Sequence, residues 1–90
     1  MSTSTVNADV FEPRVRAVLS QHARLSGDAS AMDAQADLYQ AGMTSHASVN
    51  VMLALEGEFD VEFPDEMLNR SAFSSIQAIC QAVASIGGKA

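Results

Sequence analysis

Asp37-Leu38-Tyr39-Gln40-Ala41-Gly42-Met43-Thr44-Ser45-His46 is the stretch on which the reading of this chain turns. It ends a loop of small and polar residues and runs into Ala47 to Phe59, the most apolar helical segment of the sequence. Ser45 therefore stands at the mouth of a helix, exposed and conformationally defined. The positive end of the helix dipole lies beside it, an environment that favours an attached anionic group. Gly42 allows the turn, and Leu38, Tyr39 and Met43 are expected to pin the loop to the core.

Projected at 100° per residue, the helix expected over residues 45 to 59 puts Ser48, Val51, Met52, Leu55 and Phe59 on one face, the core face. His46, Val49, Leu53 and Glu56 fall on a neighbouring strip that a small bundle does not need to bury. Such an apolar ridge suits a docking partner; alternatively, the long loop or the segment after Pro64 covers it. Gly57 weakens the end of the helix.

On the N-terminal side, Asp9 and Glu12 have capping-box spacing and Pro13 fits a first turn. Phe11, Val15, Val18, Leu19, His22 and Leu25 then repeat at helical spacing until Ser26-Gly27-Asp28. His22, on that stripe, reads as a helix histidine and not a ligand. The long connection, residues 26 to 44, has a length that is often functional. On the C-terminal side, Phe59-Asp60-Val61-Glu62-Phe63 alternates like a strand but has no pairing partner, so it reads as an extended loop that tucks Val61 and Phe63 inward. Its acidic residues lack the glycine and ligand spacing of a calcium loop. Pro64-Asp65-Glu66 opens a short helix to about Asn69. Ser74 with Gln77 caps a last helix carrying Ile76, Ile79, Cys80 and Val83, closed by Gly87-Gly88. Cys80 reads as a small buried hydrophobe. The fold class is all-α: a small four-helix bundle of three main helices and one short helix, with a long loop between the first two.

The 90 residues make one domain with an aliphatic core, 48% apolar, and the single cysteine excludes a disulfide framework. The start of the chain shows neither a signal peptide nor an anchor, so a cytoplasmic protein without a membrane partner is expected. Residues 1–8 read as a disordered lead-in, 9–86 as the domain and 87–90 as a flexible tail. The net charge is −6, and no Lys or Arg lies between Arg24 and Arg70. That sign argues against a nucleic-acid partner and for basic patches on other proteins, or simply for solubility. No glycine-rich phosphate loop, metal-ligand spacing or dinucleotide fingerprint occurs. His46 adjoins Ser45, but a sequence neighbour rarely points correctly to act as its base, and no carboxylate is evident to orient it. An enzyme is not expected.

The stretch 37–45, with Val49, Met52, Ala54-Leu55-Glu56, Glu58-Phe59 and Phe63-Pro64-Asp65-Glu66, resembles the acyl and peptidyl carrier proteins. The resemblance runs from about Val15 to Val83 and is most specific over residues 37 to 66. It implies a covalent 4'-phosphopantetheine arm on Ser45, installed from coenzyme A by a magnesium-dependent phosphopantetheinyl transferase. It also implies a charging ligase and a downstream acceptor enzyme that read the strip of His46, Val49, Leu53 and Glu56, and a carrier that is monomeric on its own. The family usually has Asp before the serine and Leu, Met or Ile after it; this chain has Thr44 and His46. Ala47, Asn50 and Gly57 stand where fatty-acid carriers often have carboxylates, which argues against that housekeeping role.

The segment Met67 to Phe73 is longer than in the fatty-acid carrier. It is similar to stand-alone carriers charged with amino acids by ligases that resemble the catalytic core of seryl-tRNA synthetase. The expected cargo is thus a small amino acid held as a thioester. The alternatives are a specialised acyl carrier for polyketide or fatty-acyl cargo, an unmodified carrier-fold interaction module, and a small hydrolase using Ser45 and His46.

Overall fold

The computed structural model describes residues 8–25 and 27–88. Three α-helices carry the fold: α1, Glu12–His22; α2, Ser45–Phe59; and α3, Ile76–Ser85. Single 3-10 turns occupy Ala8–Phe11, Asp65–Met67 and Ser71–Phe73, and no strand occurs among the described residues. The expected lead-in, apart from Ala8, lies outside the described residues, as does the expected tail beyond Gly88. No helix among the described residues is long and apolar enough to cross a membrane.

The first helix starts differently from the expected capping box. Ala8–Phe11 winds as a 3-10 turn straight into α1, and Phe11 at the N-cap is already α-helical with no side-chain cap. Pro13 falls in the first turn, where its missing amide costs nothing. The helix also stops sooner than Ser26-Gly27-Asp28. Its last bond runs from the Ala23 amide to the Leu19 carbonyl, and Arg24 then takes a left-handed conformation with φ +56°.

The core follows the apolar periodicities. Phe11, Val15 and Leu19, Val51, Leu55 and Phe59, and Ile76, Ile79 and Val83 are fully buried and pack as one cluster. Each large side chain so buried contributes roughly 1.5–3 kcal/mol. Phe11 and Phe59 meet edge to face, with ring centroids 5.3 Å apart. On α2 the core face is Ala47, Val51, Leu55 and Phe59; Ser48 and Met52, expected there, are only half-buried.

The long connection is ordered by short-range chemistry that has no periodicity. Asp28, Asp33 and Asp37 each accept the amide two residues on, from Ser30, Gln35 and Tyr39. Such turns explain why aspartates recur in a segment with no regular structure. The hydroxyl of Ser30, and after it the Ser30 amide, hold the pKa of the Asp28 carboxyl below its ordinary value. Arg16, half-buried on α1, donates one nitrogen to the carbonyls of both Ala29 (2.7 Å) and Met32 (2.6 Å) while pairing with Glu12. Further on, the Leu38 amide binds the Ser74 carbonyl at 2.7 Å and the Gln77 amide binds the Ala34 carbonyl at 2.9 Å. The loop is thereby tied to α1 at one end and to the start of α3 at the other.

After α2 the chain behaves as expected to Phe63. Val61 and Phe63 turn inward without forming a strand, and Phe63 packs on Phe73 with centroids 5.3 Å apart. The short helix expected from Pro64 is instead two separate 3-10 turns. Leu68 leaves helical geometry (φ −86°, ψ 65°), and the Asn69 side chain then caps a new turn by accepting the Ala72 amide. Ser75, not Ser74, caps α3 by accepting the Ala78 amide at 3.0 Å. Ser74 donates its hydroxyl back to the Ser71 carbonyl. Gly87, at φ +87°, and Gly88, whose amide reaches the Val83 carbonyl, close α3.

Candidate functional site

Ser45 is the first residue of α2, and the residues before it fix its place. Leu38 and Met43 are buried, and the Met43 amide closes back on the Leu38 carbonyl at 3.0 Å. Gly42, at φ +118°, makes the turn between them. Thr44 is extended (φ −82°, ψ 167°), and its Oγ1 accepts the Ala47 amide at 3.0 Å. The Thr44 carbonyl accepts the Ser48 amide, so the helix begins here in full register. Threonine thus supplies the helix cap directly before the serine. Ser45 itself is exposed, and its hydroxyl makes no hydrogen bond among the described residues; its carbonyl accepts the Ser48 hydroxyl at 2.7 Å. His46 is also exposed and shares no hydrogen bond with Ser45 or with a carboxylate among the described residues.

Below Ser45 the predicted strip divides. Val49 and Leu53 are 50% and 55% exposed, so neither the long loop nor the segment after Pro64 covers them. His46 lies exposed above them. Glu56 is different: it is half-buried, and its carboxylate accepts the Phe63 amide at 2.9 Å. It anchors the turn after α2.

On the other side of Val49, Ser45 forms part of the rim of an open groove of about 470 Å³. Ser45, Ser48, Val49 and Met52 form its α2 wall, at the i, i+3, i+4 and i+7 spacing of one helical stripe. Leu68, Asn69, Arg70 and Phe73 form the opposite wall, and Tyr39 also lines the groove, with the Arg70 guanidinium 4.2 Å from its ring centroid. Sequence reasoning missed this groove. The stripe through Ser45, Ser48, Val49 and Met52 is a usable signal, but the helical projection divides it, with Ser48 and Met52 on the expected core face and Val49 on the strip. The opposite wall depends on the irregular segment after Leu68, which leaves no periodic signature.

The carboxylates between Arg24 and Arg70 are in large part structural. Asp28, Asp33 and Asp37 serve the loop turns, Glu56 holds Phe63, and Glu58 pairs with Arg14 at 2.7 Å. Glu62, Asp65 and Glu66 remain exposed beyond the end of α2. No group of three or more His, Cys, Asp or Glu that could hold a metal lies among the described residues.

Comparison with known proteins agrees with this geometry. Residues 13–83 match the family described as the phosphopantetheine attachment site. The aminoacyl carrier protein of Agrobacterium fabrum is 46% identical over 65 residues, covering 72% of this chain and 78% of that protein. Among solved structures, the fold resembles a chain from an engineered Bradyrhizobium japonicum glycine:[carrier protein] ligase complexed with carrier protein from Agrobacterium tumefaciens and ATP. The TM-score is 0.81 and the identity 42%, over 84% of this chain and 99% of that one. It also resembles a chain from the Bradyrhizobium japonicum ligase complexed with glycylated carrier protein, at TM-score 0.70 and 29% identity, over 83% and 100% of the two chains. With its three-helix core, its helix-initial serine and this match over most of its length, the chain belongs to the phosphopantetheine-attachment family of carrier proteins.

Proposed function

We propose that this chain is an aminoacyl carrier protein whose Ser45 bears a 4'-phosphopantetheine arm. The observation that carries the proposal is the exposed, unengaged Ser45 hydroxyl at the first residue of a firmly capped helix. The fit is chemical as well as steric. Amides of a helix's first turn favour a phosphodiester by about 0.3–1 kcal/mol. In the loading step the Ser45 oxygen bonds to the phosphorus of coenzyme A nearest the pantetheine and loses its proton, and adenosine 3',5'-bisphosphate leaves. A phosphopantetheinyl transferase is the partner for that step. Once bound, the arm supplies a terminal thiol that holds an aminoacyl group as a thioester.

The chain's own residues position and address that cargo. Thr44, Gly42, Leu38 and Met43 fix where the tether begins. His46, Val49 and Leu53 form the surface that an amino acid:carrier protein ligase and a downstream acceptor would read, and Glu56 keeps the lower edge of that surface in shape. The likeness to a glycylated carrier favours a small amino acid, glycine first. In this reading the carrier domain spans residues 9–86, acts as a monomer in the cytoplasm, and leaves catalysis to its partners. The two 3-10 turns between Asp65 and Phe73 take the place of the bundle's short fourth helix.

Intact mass after incubation with coenzyme A and a broad-specificity transferase tests the site. The wild-type chain is expected to gain the mass of one phosphopantetheine and Ser45→Ala to gain none. Full modification of Ser45→Ala would refute the assignment.

A further inference from the structure

The loop that presents Ser45 meets the segment before α3 at two adjacent residues. Leu38 gives its amide to the Ser74 carbonyl at 2.7 Å, and the ring of the next residue, Tyr39, has the Arg70 guanidinium 4.2 Å from its centroid. That distance is well inside the roughly 6 Å over which an aromatic face attracts a cation. Arg70 is offered from a fixed backbone: its carbonyl accepts the Phe73 amide, and Asn69 caps the same turn at Ala72. Although the chain has a net charge of −6, the Arg70 guanidinium pairs with no carboxylate among the described residues. On the loop side, the Tyr39 carbonyl accepts the Gly42 amide at 3.2 Å and the Leu38 carbonyl accepts the Met43 amide at 3.0 Å. Thr44 follows as the cap of α2. The turn from Leu38 to Met43 thus carries Tyr39 near its start and delivers Ser45 two residues after its end.

Resting on the carrier reading, we propose that Arg70 and Tyr39 are positioning residues for the loading of Ser45. Neither is bonded to the reacting hydroxyl. Their stack acts on the chain before any arm is attached. Buried Leu38 and Met43 hold the two ends of the turn, and the stack holds its outer, half-exposed part against the Arg70 segment. The turn then fixes where the Ser45 oxygen stands when a transferase docks. A cation–π contact at such a site biases a local equilibrium about two- to fivefold. Loss of the stack is therefore expected to open the turn more often by that factor and to lower kcat for loading. KM is expected to stay in place, because the exposed face of α2 is unchanged.

The test follows loading from coenzyme A and a transferase by intact mass. A wild-type chain that gains no arm defeats the carrier reading, whereas a loaded wild type isolates this inference. Arg70→Gln and Tyr39→Leu are each expected to lower kcat, by no more than about fivefold, with KM unchanged. The double variant is expected to be no slower than the slower single one. Arg70→Lys keeps the cation and Tyr39→Phe keeps the ring, and both are expected to recover most of the rate. Arg70 is exposed, so its replacement leaves the core intact. Hydrogen exchange, which needs no transferase, is expected to quicken about two- to fivefold at the Gly42 and Met43 amides in Arg70→Gln and Tyr39→Leu, and to stay constant across α1 and α3. Unchanged exchange at Gly42 and Met43, a kcat equal to wild type, or additive losses in the double variant would overturn the proposal. A raised KM at constant kcat in Arg70→Gln alone would overturn it too, and would make Arg70 a docking contact.

Discussion

Removing the hydroxyl of Thr44 while keeping its shape isolates what presents Ser45. In Thr44→Val the side chain keeps its β-branch and suits the extended backbone at φ −82°, ψ 167°, but Oγ1 no longer accepts the Ala47 amide. Loss of an N-cap of this kind costs about 0.5–2 kcal/mol, typically about 1 kcal/mol. The residue is exposed, so no cavity adds to that figure. One kcal/mol lowers the folding equilibrium constant roughly fivefold, and in a domain of this size it lowers Tm by about 4–8 °C. Urea unfolding followed by circular dichroism is the assay, with the m-value expected to stay constant. Thr44→Ser keeps the acceptor and is expected to lie close to wild type. Thr44→Asp keeps it and adds a charge that favours the helix start by about 0.3–1 kcal/mol. Hydrogen exchange at the Ala47 amide is expected to quicken in Thr44→Val alone. A Thr44→Val midpoint equal to wild type, with unchanged exchange at Ala47, would refute the idea that this cap defines where α2 begins.

Two further substitutions probe how the rest of the scaffold is held. Gly57 lies exposed inside α2, and a Cβ there meets nothing within 4 Å, so Gly57→Ala is expected to stabilise by roughly 0.5–1 kcal/mol in the same urea assay. A destabilised Gly57→Ala would mean that the backbone at this position is not ordinary helix. Arg16→Met keeps the apolar stem but removes the donors to Ala29 and Met32; the expected cost is about 1–3 kcal/mol, with faster amide exchange concentrated in residues 28–36. Uniform loss of protection across all three helices would place the effect of Arg16 in the core and not in the loop.

Apolar periodicity made the helical frame legible, and capping residues were the less secure signal. For α2 the apolar repeat sufficed, and the helix runs over the expected 45 to 59, with Thr44 supplying a cap that periodicity does not register. For α1 a 3-10 turn ahead of Pro13 replaces the capping box that Asp9 and Glu12 suggest. At α3 two adjacent serines could each cap, and tertiary bonding decides: Ser74 gives its carbonyl to Leu38 and its hydroxyl to Ser71, which leaves the cap to Ser75. The short helix expected from Pro64 to about Asn69 shortens to a 3-10 turn because the helical signal does not register the break at Leu68 or the second cap at Asn69. The place of Ser45 at a helix mouth was legible because it is a local feature. The groove was not, since it joins residues of α2 to Tyr39 and to the irregular segment, contacts that only the tertiary fold creates. Likewise, spacing marks Arg16 as a helix residue and says nothing about the loop carbonyls it reaches.

The central claim, that Ser45 carries an aminoacyl thioester, is tested most directly by weighing the loaded protein. Wild type and Ser45→Ala are treated with coenzyme A and a transferase, then with ATP, glycine and a glycine:carrier protein ligase. Wild type is expected to gain phosphopantetheine and then one glycyl group, which hydroxylamine removes as a thioester, and Ser45→Ala is expected to gain neither. A holo protein that refuses glycine and other small amino acids but accepts malonyl or fatty-acyl groups would contradict the aminoacyl assignment.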